Sequence, residues 1–166
     1  MSEHPRLEAG EILRGLLDAN VHFVLIGGLA AQVHGSPSLT RDVDVCFELD
    51  RDNLDRLASA LASLTAVRRD LPIGIETPLD SRALRAGDVF TLRTRFGDLD
   101  LLAHPEPKLD YAQLSSRAIE AELLGYRVQV ASLTDLMAMK RAAGRPKDRI
   151  ELEILGALRE ELDRRA

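Results

Sequence analysis

The sequence predicts an α/β domain, α+β in stricter terms, with helices packed on a β-sheet. Three observations predict it. Residues 23–48 read as strand, glycine pair, short helix, loop and second strand. Residues 89–102 hold two short alternating runs joined by a glycine. Leucines recur at helical spacing in the segments that flank these strands. At 166 residues the chain has the length for one domain with a good core and is short for two, so a single domain over 1–166 is expected.

The elements follow in order. Leu7, Ile12, Leu13, Leu16 and Leu17 mark one face of an amphipathic helix over 6–19, which Asn20 can end. Residues 23–26 form a short apolar run, the pattern of a buried strand. Gly27 and Gly28 follow, permitting a tight turn and a close backbone approach, and residues 29–34 make a short helix closed by Gly35 and Pro37. Asp42, Val43, Asp44 and Val45 then alternate polar and apolar. A strand has a side-chain period of two, so Asp42 and Asp44 share a face.

Asp50 is the expected N-cap of a helix over 51–64, with Leu54, Leu57, Leu61 and Leu64 facing the sheet. The pattern weakens over 67–80, where Pro72, Gly74 and Pro78 leave room for a short strand and a loop. Residues 81–87 suit a helical turn. Residues 89–94 and 98–102 read as a hairpin joined at Phe96-Gly97, and His104-Pro105 ends its second strand. A helix over 110–117 precedes a second hairpin over 119–130, centred on Gly125. Ser132 caps a helix running to Ala143, Gly144 stops it, and Arg145-Pro146 sets up a last helix over 147–164.

Two carboxylates side by side on one strand face repel each other. A divalent cation resolves that repulsion, and magnesium takes one or two carboxylates together with substrate phosphates. The glycine pair supplies backbone N–H groups suited to an anion. One short segment therefore offers a metal seat beside a phosphate cradle. Asp98 and Asp100 form a second alternating pair. Asp100 is preferred as a third site carboxylate, because Asp98 adjoins a turn glycine, where a polar residue needs no further reason.

This arrangement resembles the nucleotidyltransferase superfamily typified by DNA polymerase β, whose signature is an apolar strand, Gly-Gly or Gly-Ser, about ten residues, and Asp-x-Asp on the next strand. The matching residues are Gly27, Gly28, Asp42 and Asp44. The chain looks most like the minimal bacterial members, including the toxin components of AbiEii/MenT-like toxin–antitoxin systems. Their late-helix lysine and Gly-Arg-x-Lys-Asp turn correspond to Lys140, Gly144, Arg145, Lys147 and Asp148.

The resemblance implies a mixed sheet and transfer of a nucleoside monophosphate from an NTP to a hydroxyl acceptor: tRNA, protein or a small molecule. It implies two Mg2+ ions, with Mn2+ as an alternative, on Asp42, Asp44 and Asp100, the last also acting as base. Gly27 and Gly28 would hold phosphates, Thr40 would bind a phosphate or orient Asp42, and Lys140 would steady the triphosphate, with Arg145 or Lys147 as alternatives. The helices from about residue 132 would complete the site. Asp148 reads instead as a cap of the last helix. An antitoxin is the implied partner. A catalytically silent nucleotide- or partner-binding module and a phosphatase or nuclease are the rival readings.

Composition bounds the rest. Net charge is −5, so any contact with nucleic acid must come from a local patch. Aromatics make up 4% and tryptophan is absent, which argues against a base-stacking platform. The single cysteine, Cys46, cannot form an internal disulfide and reads as a small core residue. The charged N-terminus does not read as a secretory signal and no run approaches a membrane span, so a cytoplasmic protein is expected. His22, His34 and His104 make no metal-ligand spacing, and Ser36 and Arg41 carry no assigned role.

Overall fold

The computed structural model describes residues 5–106 and 108–166. Residues 1–4, which open the segment read as lacking a secretory signal, lie outside them. The elements run α1 (Ala9–Asp18), β1 (Phe23–Ile26), α2 (Gly27–Val33), β2 (Asp42–Phe47), α3 (Arg51–Ser63), β3 (Val67–Arg68), α4 (Ser81–Ala86), β4 (Val89–Thr94), β5 (Gly97–Leu102), α5 (Tyr111–Arg117), β6 (Ile119–Leu123), β7 (Tyr126–Val130), α6 (Leu133–Ala143) and α7 (Pro146–Arg165). The seven strands form one mixed sheet in the order β3-β4-β5-β2-β1-β7-β6.

The sequence reads most of these elements to within a residue or two. Two starts differ, each for a physical reason. The first helix begins at Ala9 rather than at residue 6, because the backbone N–H of Glu8 donates to the carbonyl of Phe96 and ties that stretch to the β4–β5 turn. The second begins at Gly27 itself, so both glycines belong to the first turn of α2. The caps at Asp50, Asp110 and Ser132 each accept a backbone N–H three residues on, which fixes where α3, α5 and α6 start.

β2 lies at the middle of the sheet, antiparallel to β1 and parallel to β5. Val43 and Val45 of β2 and Leu99 and Leu101 of β5 are fully buried on one face. Ile12, Leu13 and Leu16 of α1 and Leu54, Leu57 and Leu61 of α3 join the same core. That burial holds the central strands in place; each such side chain contributes roughly 1.5–3 kcal/mol against exposure. The alternate residues of β2 and β5 project to the other face, where α6 and α7 pack on each other and α6 reaches α2. Among the described residues no helix is long and apolar enough to cross a membrane.

Candidate active site

The site grows from the parallel pairing of β2 with β5. Its register sets Asp42 opposite Asp98 and Asp44 opposite Asp100. Alternation then projects all four carboxylates from one face. One oxygen from each of Asp42, Asp44 and Asp100 lies within 4.8 Å of the others. Asp98 lies outside this cluster and pairs with arginines: Arg93 Nε stands 3.2 Å from one of its oxygens and Arg69 Nη1 3.4 Å from the other.

The cluster is electrostatically unhappy without a cation. Burial, then the charges of Asp42 and Asp100, push the Asp44 carboxyl up to about 8, and Lys140 pulls it down only in part. Burial likewise raises Asp100 despite the neighbouring Arg69. Three hard oxygen donors this close, two of them reluctant to ionise together, fit a divalent cation.

The glycine pair serves this cluster directly. Gly27 has φ +69°, and a Cβ there would overlap Oδ2 of Asp44. A Cβ on Gly28 would meet Thr40 Cβ and Oγ1, both at 2.7 Å. The two glycines are therefore required by the chain's own side chains, quite apart from any ligand. The Thr40 hydroxyl lies 3.2 Å from both the carbonyl and the Oδ1 of Asp42, so it orients the first carboxylate.

Across the cleft stand α6 and α7. Lys140 Nζ lies 3.4 Å from Oδ1 of Asp148, whose side chain is fully buried. The backbone N–H and Nε of Arg145 donate to the other Asp148 oxygen at 3.1 and 2.8 Å. Asp148 caps α7, as its position in the sequence suggests, and it also tethers Lys140, which no local pattern announces. Burial alone would raise its carboxyl; the hydrogen bonds from Arg145 and the charge of Lys140 hold it below the usual carboxylate range. This contribution to stability is present at neutral pH and is lost as pH falls from the unfolded carboxylate value through the lowered folded one. Asp148→Asn should cost about 1–3 kcal/mol at neutral pH and flatten the acid limb of a pH series of denaturant melts. An unchanged acid limb would count against the pairing.

These groups line a cleft of about 630 Å³. Gly27, Gly28, Thr40, Arg41 and the three aspartates form one wall, and Lys140, Arg145 and Lys147 the other. Leu39, Val89, Leu102, Pro105, Leu136 and Met139 add apolar surface. His22, His34 and His104 do not line it; His22 pairs with Glu48, His34 with the Ala131 carbonyl and His104 with Asp88. Ser36 is buried, with its Oγ accepting from the Ser38 N–H in the loop before Thr40. Cys46 is fully buried, with its thiol donating to the Ala103 carbonyl, and burial pushes that thiol up to about 12.

One site residue escapes sequence reasoning. Arg69 Nη2 stands 2.5 Å from Oδ1 of Asp100. It lies just past the two-residue β3, in the stretch where the periodicity fades. Its backbone N–H donates to the carbonyl of Thr91, and Thr91 pairs with Asp100, so one row crosses the sheet from Arg69 to the cluster. The only signal available was an arginine in a weakly patterned segment.

By sequence, no family model and no curated protein matches the chain. Solved structures do match by shape. The lincosamide antibiotic adenylyltransferase LnuA, in its lincomycin-bound form, is 14% identical and aligns over 92% of this chain and 99% of its own with a TM-score of 0.62. ANT(2″)-Ia in complex with adenylyl-2″-tobramycin is 19% identical over 94% of this chain and 95% of its own, with a TM-score of 0.54. TM1012 of Thermotoga maritima is 17% identical over 99% of both chains, also at 0.54. At these identities the likeness is one of architecture, and the chain has the nucleotidyltransferase fold.

Proposed function

We propose that this chain is a metal-dependent nucleotidyltransferase, moving a nucleoside monophosphate from an NTP to a hydroxyl acceptor with release of pyrophosphate. The observation that carries this reading is the convergence of Asp42, Asp44 and Asp100 within 4.8 Å, in a cleft that also holds Gly27 and Gly28. These three carboxylates would hold Mg2+, one ion or two, with Mn2+ as a substitute. When bound, the metal neutralises phosphate charge and lowers the pKa of the acceptor hydroxyl.

The chain's own residues do the rest. Asp100 accepts the proton of the attacking hydroxyl at a carboxylate oxygen. The hydroxyl oxygen bonds to the α-phosphorus as the bond to the pyrophosphate oxygen breaks. Gly27 and Gly28 leave the backbone open to the phosphates. Lys140, steadied by Asp148, supplies a point charge to the triphosphate. Thr40 keeps Asp42 in place. Catalysis in this scheme is positioning and charge neutralisation.

The test incubates the protein with each labelled NTP, Mg2+ and a panel of acceptors: tRNA, cell-extract protein, an aminoglycoside and a lincosamide. Labelled acceptor and pyrophosphate are expected. Release of free phosphate would identify a hydrolase instead, and metal-dependent NTP binding without turnover a silent module. Labelling of tRNA supports the toxin-like reading of the sequence, and labelling of an antibiotic a role like that of LnuA or ANT(2″)-Ia. Lys140→Ala should raise the KM for the NTP roughly 10–100-fold, the worth of a hydrogen bond to a charged group. An unchanged KM would remove Lys140 from the phosphate site.

A further inference from the structure

The cleft's charge pattern leaves Arg69 unexplained. Its guanidinium spans two carboxylates of one strand: Nη2 is 2.5 Å from Asp100 Oδ1 and Nη1 is 3.4 Å from Asp98 Oδ2. The base of the side chain is fixed, because Nε donates to the Leu92 carbonyl at 3.1 Å and the backbone N–H to the Thr91 carbonyl at 2.9 Å. Only the two terminal amino groups are left to choose between partners. Arg93 takes Oδ1 of Asp98 and leaves Oδ2 facing Arg69. Asp98 is thus held in place, with its second oxygen already within ion-pair distance of Arg69.

Asp100 also belongs to the three-carboxylate cluster. A divalent ion seated there and a guanidinium hydrogen-bonded to the same carboxylate repel each other. The guanidinium has a second carboxylate two residues along the same strand face. The Arg69 side chain is 28% exposed, so its terminal groups have room to shift without unpacking the sheet.

We propose that Arg69 is a two-position counter-ion, bridging Asp100 and Asp98 when the cluster is free of metal and held on Asp98 alone when metal is bound, and that this exchange sets the cluster's metal affinity. Asp98 then serves as the alternative seat that lets Arg69 release Asp100, and both are positioning residues. The proposal rests on the metal reading of Asp42, Asp44 and Asp100.

The experiment is a double-mutant cycle read by direct Mn2+ binding without nucleotide, by calorimetry or by the spin-resonance signal of free Mn2+. Arg69→Gln should tighten binding roughly tenfold, the scale of a charge interaction across a protein of moderate effective dielectric. Asp98→Asn should weaken binding several-fold when Arg69 is present, because the guanidinium then has only Asp100. In the Arg69→Gln background the same Asp98→Asn change should have no effect. Arg69→Met, which keeps the stem but not the charge, must reproduce Arg69→Gln, with thermal melts confirming that each variant is folded. Additive effects, or unchanged affinity in both charge-removing variants, overturn the proposal. A wild-type protein that binds no Mn2+ overturns the metal reading itself, a result distinct from additivity.

Discussion

Asp44→Asn should abolish the proposed nucleotidyl transfer and yet make the metal-free protein harder to unfold. The loss should be roughly a thousandfold or more, because an anionic ligand to the proposed metal is removed and with it the charge neutralisation of the reacting phosphates. The gain in stability comes from the same burial and crowding that raise the Asp44 carboxyl from 3.8 to about 8. The folded, metal-free chain retains a proton that the unfolded chain releases. Stability therefore falls as pH rises through that interval and levels off above it. Asparagine carries no such burden, so the variant should gain about 1–3 kcal/mol at neutral pH, allowing for water in the cleft. Denaturant melts in chelator, run from acid to mildly alkaline pH, would show the two curves diverging upward. Divalent metal should restore the wild type most at the alkaline end, its apparent affinity dropping about tenfold per pH unit below the Asp44 value. A variant that keeps its activity, or that melts earlier than wild type in chelator at every pH, sinks the assignment.

Gly27→Ala should be nearly as damaging, by a different route. The backbone at φ +69° disfavours any side chain by roughly 1–2 kcal/mol. The added methyl also overlaps the Asp44 carboxylate, which cannot stay where it is. A displacement of this kind near the reacting groups costs on the order of a hundredfold in rate. Gly28→Ala probes the neighbouring contact, pressing on Thr40 and through it on Asp42. Steady-state kinetics with Mn2+ binding in parallel separates a lost metal from a misplaced one. Full activity in Gly27→Ala would show that the Asp44 position seen here is not the working one.

Much of this site was legible because its parts are local. The run Phe23–Ile26, the glycines and the Asp-x-Asp alternation each declare a backbone geometry, and two adjacent strands then carry them together. The sequence prefers Asp100 over Asp98 by a turn argument; in the structure Asp100 is the one that clusters with Asp42 and Asp44, and Asp98 pairs with Arg93 and Arg69. What stays hidden is the choice of partner. No spacing announces that Asp148 reaches back to Lys140 in the helix before its own, or that Arg69 reaches Asp100 across 31 residues. The sequence marks the glycines as open to a ligand, whereas a Cβ on them would first meet Asp44 and Thr40. Sequence periodicity tells which face a residue takes; it does not tell which neighbour waits there.

The strand that bears Asp42 and Asp44 is fourth of seven, hydrogen-bonded on both flanks. Its amides can exchange with solvent only when the sheet itself comes apart, so they should be among the slowest in the molecule. The crowded acids are thus anchored where local fraying is least able to relieve them. Their mutual repulsion must be borne by the whole cooperative unit, and cation binding should slow exchange across the entire sheet and not in one loop.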